Sequence, residues 1–220
     1  MNPLLGLVAL AVVAAAITAL SARDPRVVIL ALLAMWIGGP LVADPMADPI
    51  GLAARLVGAL LAGYLLWMGL RDRTTGGRSA ALTEGSRIGW PAEVLVAAAA
   101  SIVGFSTHGL GAPADGPALA SAAGFALAAV SVSAFLTGSD VVRIGIGLLV
   151  VGAGAMLVRT GLGGTPGPFE HLVVSATLVV VAGCLAAMAA AAARDVGGGF
   201  GLADAGPRRR REPDAHPIDS

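Results

Sequence analysis

Lysine is absent from the 220 residues: all fourteen basic side chains are arginine, matched by fourteen acidic ones to a formal net charge of zero. That balance provides no net field for nucleic acid or a strongly charged soluble partner. Without lysine, Schiff-base chemistry and the phosphate-binding P-loop are excluded. The single cysteine, Cys184, excludes an intrachain disulfide and a cysteine cluster for zinc or iron and sulfur. It reads as an inert buried thiol, because nothing near it in sequence would stabilise a thiolate. Three histidines leave little for metal ligation, and charged residues make up only 13% of the chain. What fills the sequence is apolar: 56% hydrophobic residues and a mean hydropathy of +0.84. Such a chain belongs in a membrane.

A bilayer core takes about 20 apolar residues per helix, within roughly 17 to 25. Cutting the sequence where polar and turn residues cluster predicts seven helices, at about residues 3–20, 25–42, 49–70, 91–108, 117–136, 141–158 and 169–193. Asp24-Pro25 and Asp48-Pro49 have the order of an N-cap followed by proline at the first helical position. Gly38-Gly39-Pro40 predicts a kink or an end in the second helix. The fourth segment is short, Ala-rich and carries Glu93, the pattern of a tilted or partly re-entrant helix shielded by the others. The fold class is therefore all-α, a polytopic transmembrane bundle over residues 1–196. Residues 71–90 form a cytoplasmic loop in this reading. Residues 197–220, rich in Gly, Pro and charge, form a disordered tail.

Residues 1–10 contain no basic side chain, so the first apolar run lacks the charged start of a secretory signal and reads as a retained helix. With the N-terminus outside, twelve of the fourteen arginines fall on the cytoplasmic side, and only Arg55 and Arg159 fall toward the outer side. The positive-inside rule thus predicts an inner-membrane protein with an outer N-terminus and a cytoplasmic C-terminus. Tyr64, Trp67 and Trp90 then lie at the inner interface, where amphipathic rings are expected. Arg208, Arg209, Arg210 and Arg211 read as a topogenic run that could also hold the tail to anionic lipid, at about 1 kcal/mol per basic residue near the surface.

An offset of 116 residues places Asp24 on Asp140, the first helix on the fifth, the second on the sixth and the third on the seventh. One extra helix separates the halves, so both point the same way: a 3+1+3 plan with a parallel repeat. The sixth helix carries distinctive text, with Ser139-Asp140-Val141-Val142-Arg143 leading into a Leu/Val run interrupted by Gly145, Gly147, Gly152 and Gly154. Followed by a short loop and a Val/Ala-rich helix, this unit over about residues 117–193 resembles the K-type small membrane subunit of complex I. With the length and helix number of the whole chain, it also resembles component E of group 4 membrane hydrogenases. The resemblance implies an accessory membrane subunit packed between antiporter-like subunits and a connecting arm, in a complex coupling redox chemistry to ion translocation. The K-type subunits carry membrane-embedded Glu residues, whereas residues 141–158 and 172–193 here contain no carboxylate. No Glu is therefore carried over to this chain.

Ionisable groups inside a bilayer are costly and so are the first candidates for function. Arg55 lies deepest among the arginines, with Asp44 and Asp48 in the preceding loop as candidate partners and snorkelling to the headgroups as the simpler account. Asp44 and Asp48 each precede a proline and suit capping. Glu93 lies within plausible reach of Arg87 or Arg143 for a structural ion pair. His108 and His171 both fall near outer helix ends, where two ring nitrogens could serve one haem, metal or quinol site, with interfacial hydrogen bonding as the plainer reading. The four glycines of the sixth helix read as packing positions, since small residues let helices approach closely in lipid. Ser101, Ser106, Ser131, Ser133, Ser175 and Thr177 are nearly all the polar lining on offer. The expected function is a non-catalytic subunit of a multisubunit membrane complex, with other membrane subunits and the bilayer as partners and no cofactor of its own. The alternative is a small transporter or channel for a neutral or apolar substrate.

Overall fold

The computed structural model describes residues 3–43, 49–75, 89–106, 116–137 and 141–194. Asp44, Asp48, Arg87, His108, Arg208, Arg209, Arg210 and Arg211 lie outside the described residues. Among the described residues are seven helices: α1 (Pro3–Ser21), α2 (Pro25–Ala43), α3 (Pro49–Thr75), α4 (Trp90–Ser106), α5 (Ala118–Thr137), α6 (Val141–Gly163) and α7 (Pro168–Arg194). Six are long and apolar enough to cross a bilayer, and α4, at 17 residues, is shorter. The chain is an all-α, multi-pass integral membrane protein.

Several helix ends differ from the sequence expectation for local reasons. Helix α3 runs five residues into the stretch read as loop, to Thr75. The Arg71 guanidinium lies 5.6 Å over the Trp67 ring one turn earlier, and a cation near a helix C-terminus also suits its dipole. Helix α2 continues through Gly38-Gly39-Pro40 to Ala43 rather than ending there. Pro40 cannot donate to the Trp36 carbonyl and its ring crowds that carbonyl, and α2 ends within one turn beyond it. Helix α6 extends past residue 158 to Gly163, where Arg159 donates to the Gly164 carbonyl at 3.1 Å and Gly164 turns the chain out with φ +74°.

Close packing rests on small residues. Helices α3 and α7 run parallel, since Gly51, Gly58 and Gly69 meet His171, Ser175 and Ala186 in ascending order. A Cβ at Gly58 would stand 2.7 Å from Ser175 Cβ, and one at Gly69 would stand 2.6 Å from Ala186 Cα. Helices α5 and α6 are antiparallel and locked reciprocally: a Cβ on Gly124 would stand 2.7 Å from Gly154 O, and one on Gly154 would stand 2.9 Å from Gly124 O. Without a hydrophobic force between helices in lipid, such proximity supplies the van der Waals contact that holds them. Gly145 abuts Leu185 of α7, and a Cβ on Gly147 would stand 2.9 Å from Ala134 Cβ. Gly152 departs from the packing role read for it: nothing lies within 4 Å of a Cβ placed there. Cys184 is exposed at the bundle surface rather than buried, because the packed face of α7 is formed by Ala182, Leu185, Ala186 and Ala189.

The middle of the bundle is closed by apolar side chains. Leu32 and Met35 of α2, Leu127 and Val130 of α5, and Val150 of α6 are each at most 1% exposed. Helix α1 also packs on α5, and α2 on α6.

Candidate functional site

Polar side chains gather at the two ends of the bundle, on either side of this apolar middle. One group joins the end of α1, the start of α4 and the end of α5. Glu93, 1% exposed, receives a 2.7 Å hydrogen bond from Ser21 Oγ at Oε2 and a longer 3.4 Å bond from Ser133 Oγ at Oε1. Both serines also lie on carbonyls of their own helices, Ser21 on Ile17 O at 2.6 Å and Ser133 on Val130 O at 2.7 Å. Each hydroxyl proton is therefore shared, and the carboxyl group ties three helices. Arg143, at the start of α6, is 7% exposed. Among the described residues Glu93 makes its hydrogen bonds with serines, and no ion pair between it and Arg143 lies within 4 Å.

The other group lies at the opposite end and is the stronger candidate. Arg55, in the second turn of α3, donates from Nε to Nδ1 of His171 at 3.2 Å. A guanidinium has donors only, so Nδ1 is the unprotonated nitrogen and the imidazole is the neutral form carrying its proton on Nε2. His171 is 5% exposed and sits over Gly51, where a side chain would collide with the ring. Around this pair, Met35, Trp36, Thr160 and Pro166 enclose a cavity of about 30 Å³, enough for a water molecule. Thr160 spends its hydroxyl on Met156 O at 2.8 Å, but Trp36 Nε1 is buried without a hydrogen-bond partner. Arg159 and Glu170 close the same end with a 2.6 Å ion pair between half-exposed side chains, and Glu170 also accepts from Gly167 N–H at 3.2 Å.

Beside this cluster α6 and α7 separate. They meet at Gly145 and Leu185, then leave a largely apolar groove of about 540 Å³ bordered by Leu149, Gly152, Met156, Val174 and Leu178. Trp36 and Arg55 border both the groove and the small cavity, and Arg159 and Thr177 also border the groove. The missing side chain at Gly152, which no neighbour requires for packing, widens the groove wall.

The sequence picked out Arg55 and His171 separately, the first with Asp44 or Asp48 and the second with His108. The structure brings the two to each other. Sequence reasoning missed Trp36, Ser21 and Glu170. Trp36 carries a signal in hindsight, as the tryptophan placed within an apolar span rather than at its edge. Glu170 follows Arg159 by eleven residues across a Gly/Pro turn, a spacing that returns the chain to the same end. Among the described residues, no group of three or more His, Cys, Asp or Glu side chains is placed to hold a metal ion. Comparison with known proteins yields no matching family model, no matching curated protein and no matching solved structure.

Proposed function

We propose that this protein is a non-catalytic membrane subunit of a larger complex, of the hydrogenase-4 and complex I kind, that spans the bilayer seven times with its N-terminus outside and C-terminus inside. The observation that supports this reading best is the apolar closure of the bundle between its two polar ends. An ion path needs polar or charged groups near the midplane, whereas Leu32, Met35, Leu127 and Val150 fill that level here. The chain then serves by packing, and any ion path belongs to a neighbour. The pairing of α1 with α5, α2 with α6 and α3 with α7 is also what a parallel repeat related by an axis along the membrane normal would give. Arg55 and His171, 116 residues apart, occupy equivalent positions in that repeat.

Affinity purification of the tagged chain from its native membrane in mild detergent, followed by mass spectrometry, tests the proposal. Antiporter-like or redox subunits recovered in fixed ratio would support it. Recovery of a stable, monodisperse chain alone would overturn it.

The groove between α6 and α7 favours a second reading, a self-contained transporter of a neutral or apolar substrate entering from the bilayer. Substrate flux in proteoliposomes containing only this protein would decide for it.

A further inference from the structure

An apolar groove facing a bilayer will admit acyl chains of any lipid, and by itself it selects nothing. Of the donors at its end, Arg159 is engaged by Glu170, and Arg55 and Trp36 are left to select. Arg55 uses Nε for His171, and among the described residues no carboxylate lies within ion-pair distance of its guanidinium. Glu170, next to His171 in sequence, is engaged by Arg159. Trp36, 6% exposed, has an indole N–H with no acceptor, and an unpaired donor away from water is costly. A guanidinium and an indole have no acceptor atoms, so the complementary ligand presents acceptors and, opposite the arginine, negative charge. The groove volume of about 540 Å³ lies within the size range of ligand sites, roughly 300 to 1,000 Å³. Arg55 starts six residues after Pro49, about 9 Å along the helix at 1.5 Å per residue. From that depth an arginine can still meet a lipid phosphate.

We propose that this groove is a binding site for an anionic bilayer phospholipid, with one acyl chain lying between α6 and α7 and the phosphate on Arg55, close to the Trp36 N–H. Its occupation does not depend on whether the chain belongs to a larger complex.

The test uses the full-length protein with Trp67→Phe and Trp90→Phe, which leaves Trp36 as the one remaining indole of the three. It is reconstituted in phosphatidylcholine vesicles containing a small fraction of either phosphatidylglycerol or phosphatidylcholine brominated on the acyl chain. Bromine in contact with an indole quenches its fluorescence. At equal mole fraction the brominated phosphatidylglycerol is expected to quench Trp36 with about fivefold higher apparent affinity, the effect of one basic contact with anionic lipid. Arg55→Gln should remove the preference, and Arg55→Lys, which keeps the charge, should retain it. Arg26→Gln, which changes an exposed arginine at the other end of α2 and away from the groove, should leave it intact. Equal quenching by the two lipids in the parent protein overturns the proposal, as does a preference that survives Arg55→Gln or disappears with Arg26→Gln. Where Arg55→Gln does not give monodisperse protein, Gly152→Leu decides: filling the groove at a distance from Arg55 must abolish quenching by the brominated phosphatidylglycerol.

Discussion

Arg55 and His171 join two parallel helices through one hydrogen bond, from the Nε of a cation to the Nδ1 of a neutral ring. The pair stands where Gly51 lets the imidazole lie against the α3 backbone, so a backbone feature and a polar contact depend on one another. Removing the ring strands the guanidinium, and adding a side chain at Gly51 displaces the ring.

His171→Ala should therefore destabilise the bundle by about 1–3 kcal/mol, the cost of leaving a partly buried donor without its partner together with the loss of the buried ring. Unfolding in mixed detergent micelles would measure it. In the double-mutant cycle with Arg55→Met, the effects should fall short of additivity by about 1 kcal/mol, since the second change removes a group already stranded. Additive effects would mean that the contact contributes nothing of its own.

Glycines at helix contacts and at the groove should respond in opposite ways. Gly69→Val places atoms where the Ala186 backbone stands and should cost at least about 1–3 kcal/mol through overpacking. Gly152→Ala, with open space around the new carbon, should be neutral or slightly stabilising, by about 0.5–1 kcal/mol from helix propensity. Equal losses in stability for the two variants would contradict the packing described here.

The number and approximate place of the helices were legible because hydrophobic length is a property of each segment alone. The glycines of α6 illustrate the limit of that reading. Gly145, Gly147, Gly152 and Gly154 look alike in sequence, yet three meet a neighbouring helix and Gly152 meets none, a distinction that belongs to the partner helix. Arg55 and His171 were legible as costly polar residues near one end of the bundle. Their union was hidden because it depends on α3 packing parallel to α7, and long-range pairing leaves no mark in local periodicity. Glu93 is legible as an acid at the start of an apolar helix, but its hydrogen bonds from Ser21 and Ser133 depend on α1 and α5 ending beside α4, which local periodicity does not carry.

Glu93→Ala should separate the ends of α1, α4 and α5 and cost about 1–3 kcal/mol, because the serine hydroxyls lose a shared acceptor in a buried place. Glu93→Gln keeps an acceptor oxygen and nearly the same volume and should cost less than half as much. Hydrogen exchange at the start of α4 would report the change locally. If Gln proves as damaging as Ala, the negative charge rather than the acceptor geometry is what matters there.

Gly164→Ala should cost about 1–2 kcal/mol, since a side chain in the left-handed region meets the following carbonyl. Breaking the Arg159–Glu170 pair beside it with Glu170→Gln should cost less than about 1 kcal/mol, as both side chains are exposed. Thermal denaturation of the two variants in one detergent would rank them, and the reverse order would place the turn's stability in the ion pair.

The extensive parallel contact between α3 and α7 also bears on how the protein is made. During synthesis α3 emerges with its glycine face unpartnered, and α7 follows only after α4, α5 and α6. Three intervening helices must be made and kept apart from that face before the pair can close. A ribosome that stops before Pro168 would thus leave a chain in which the glycine face of α3 has lost the helix it is shaped to meet.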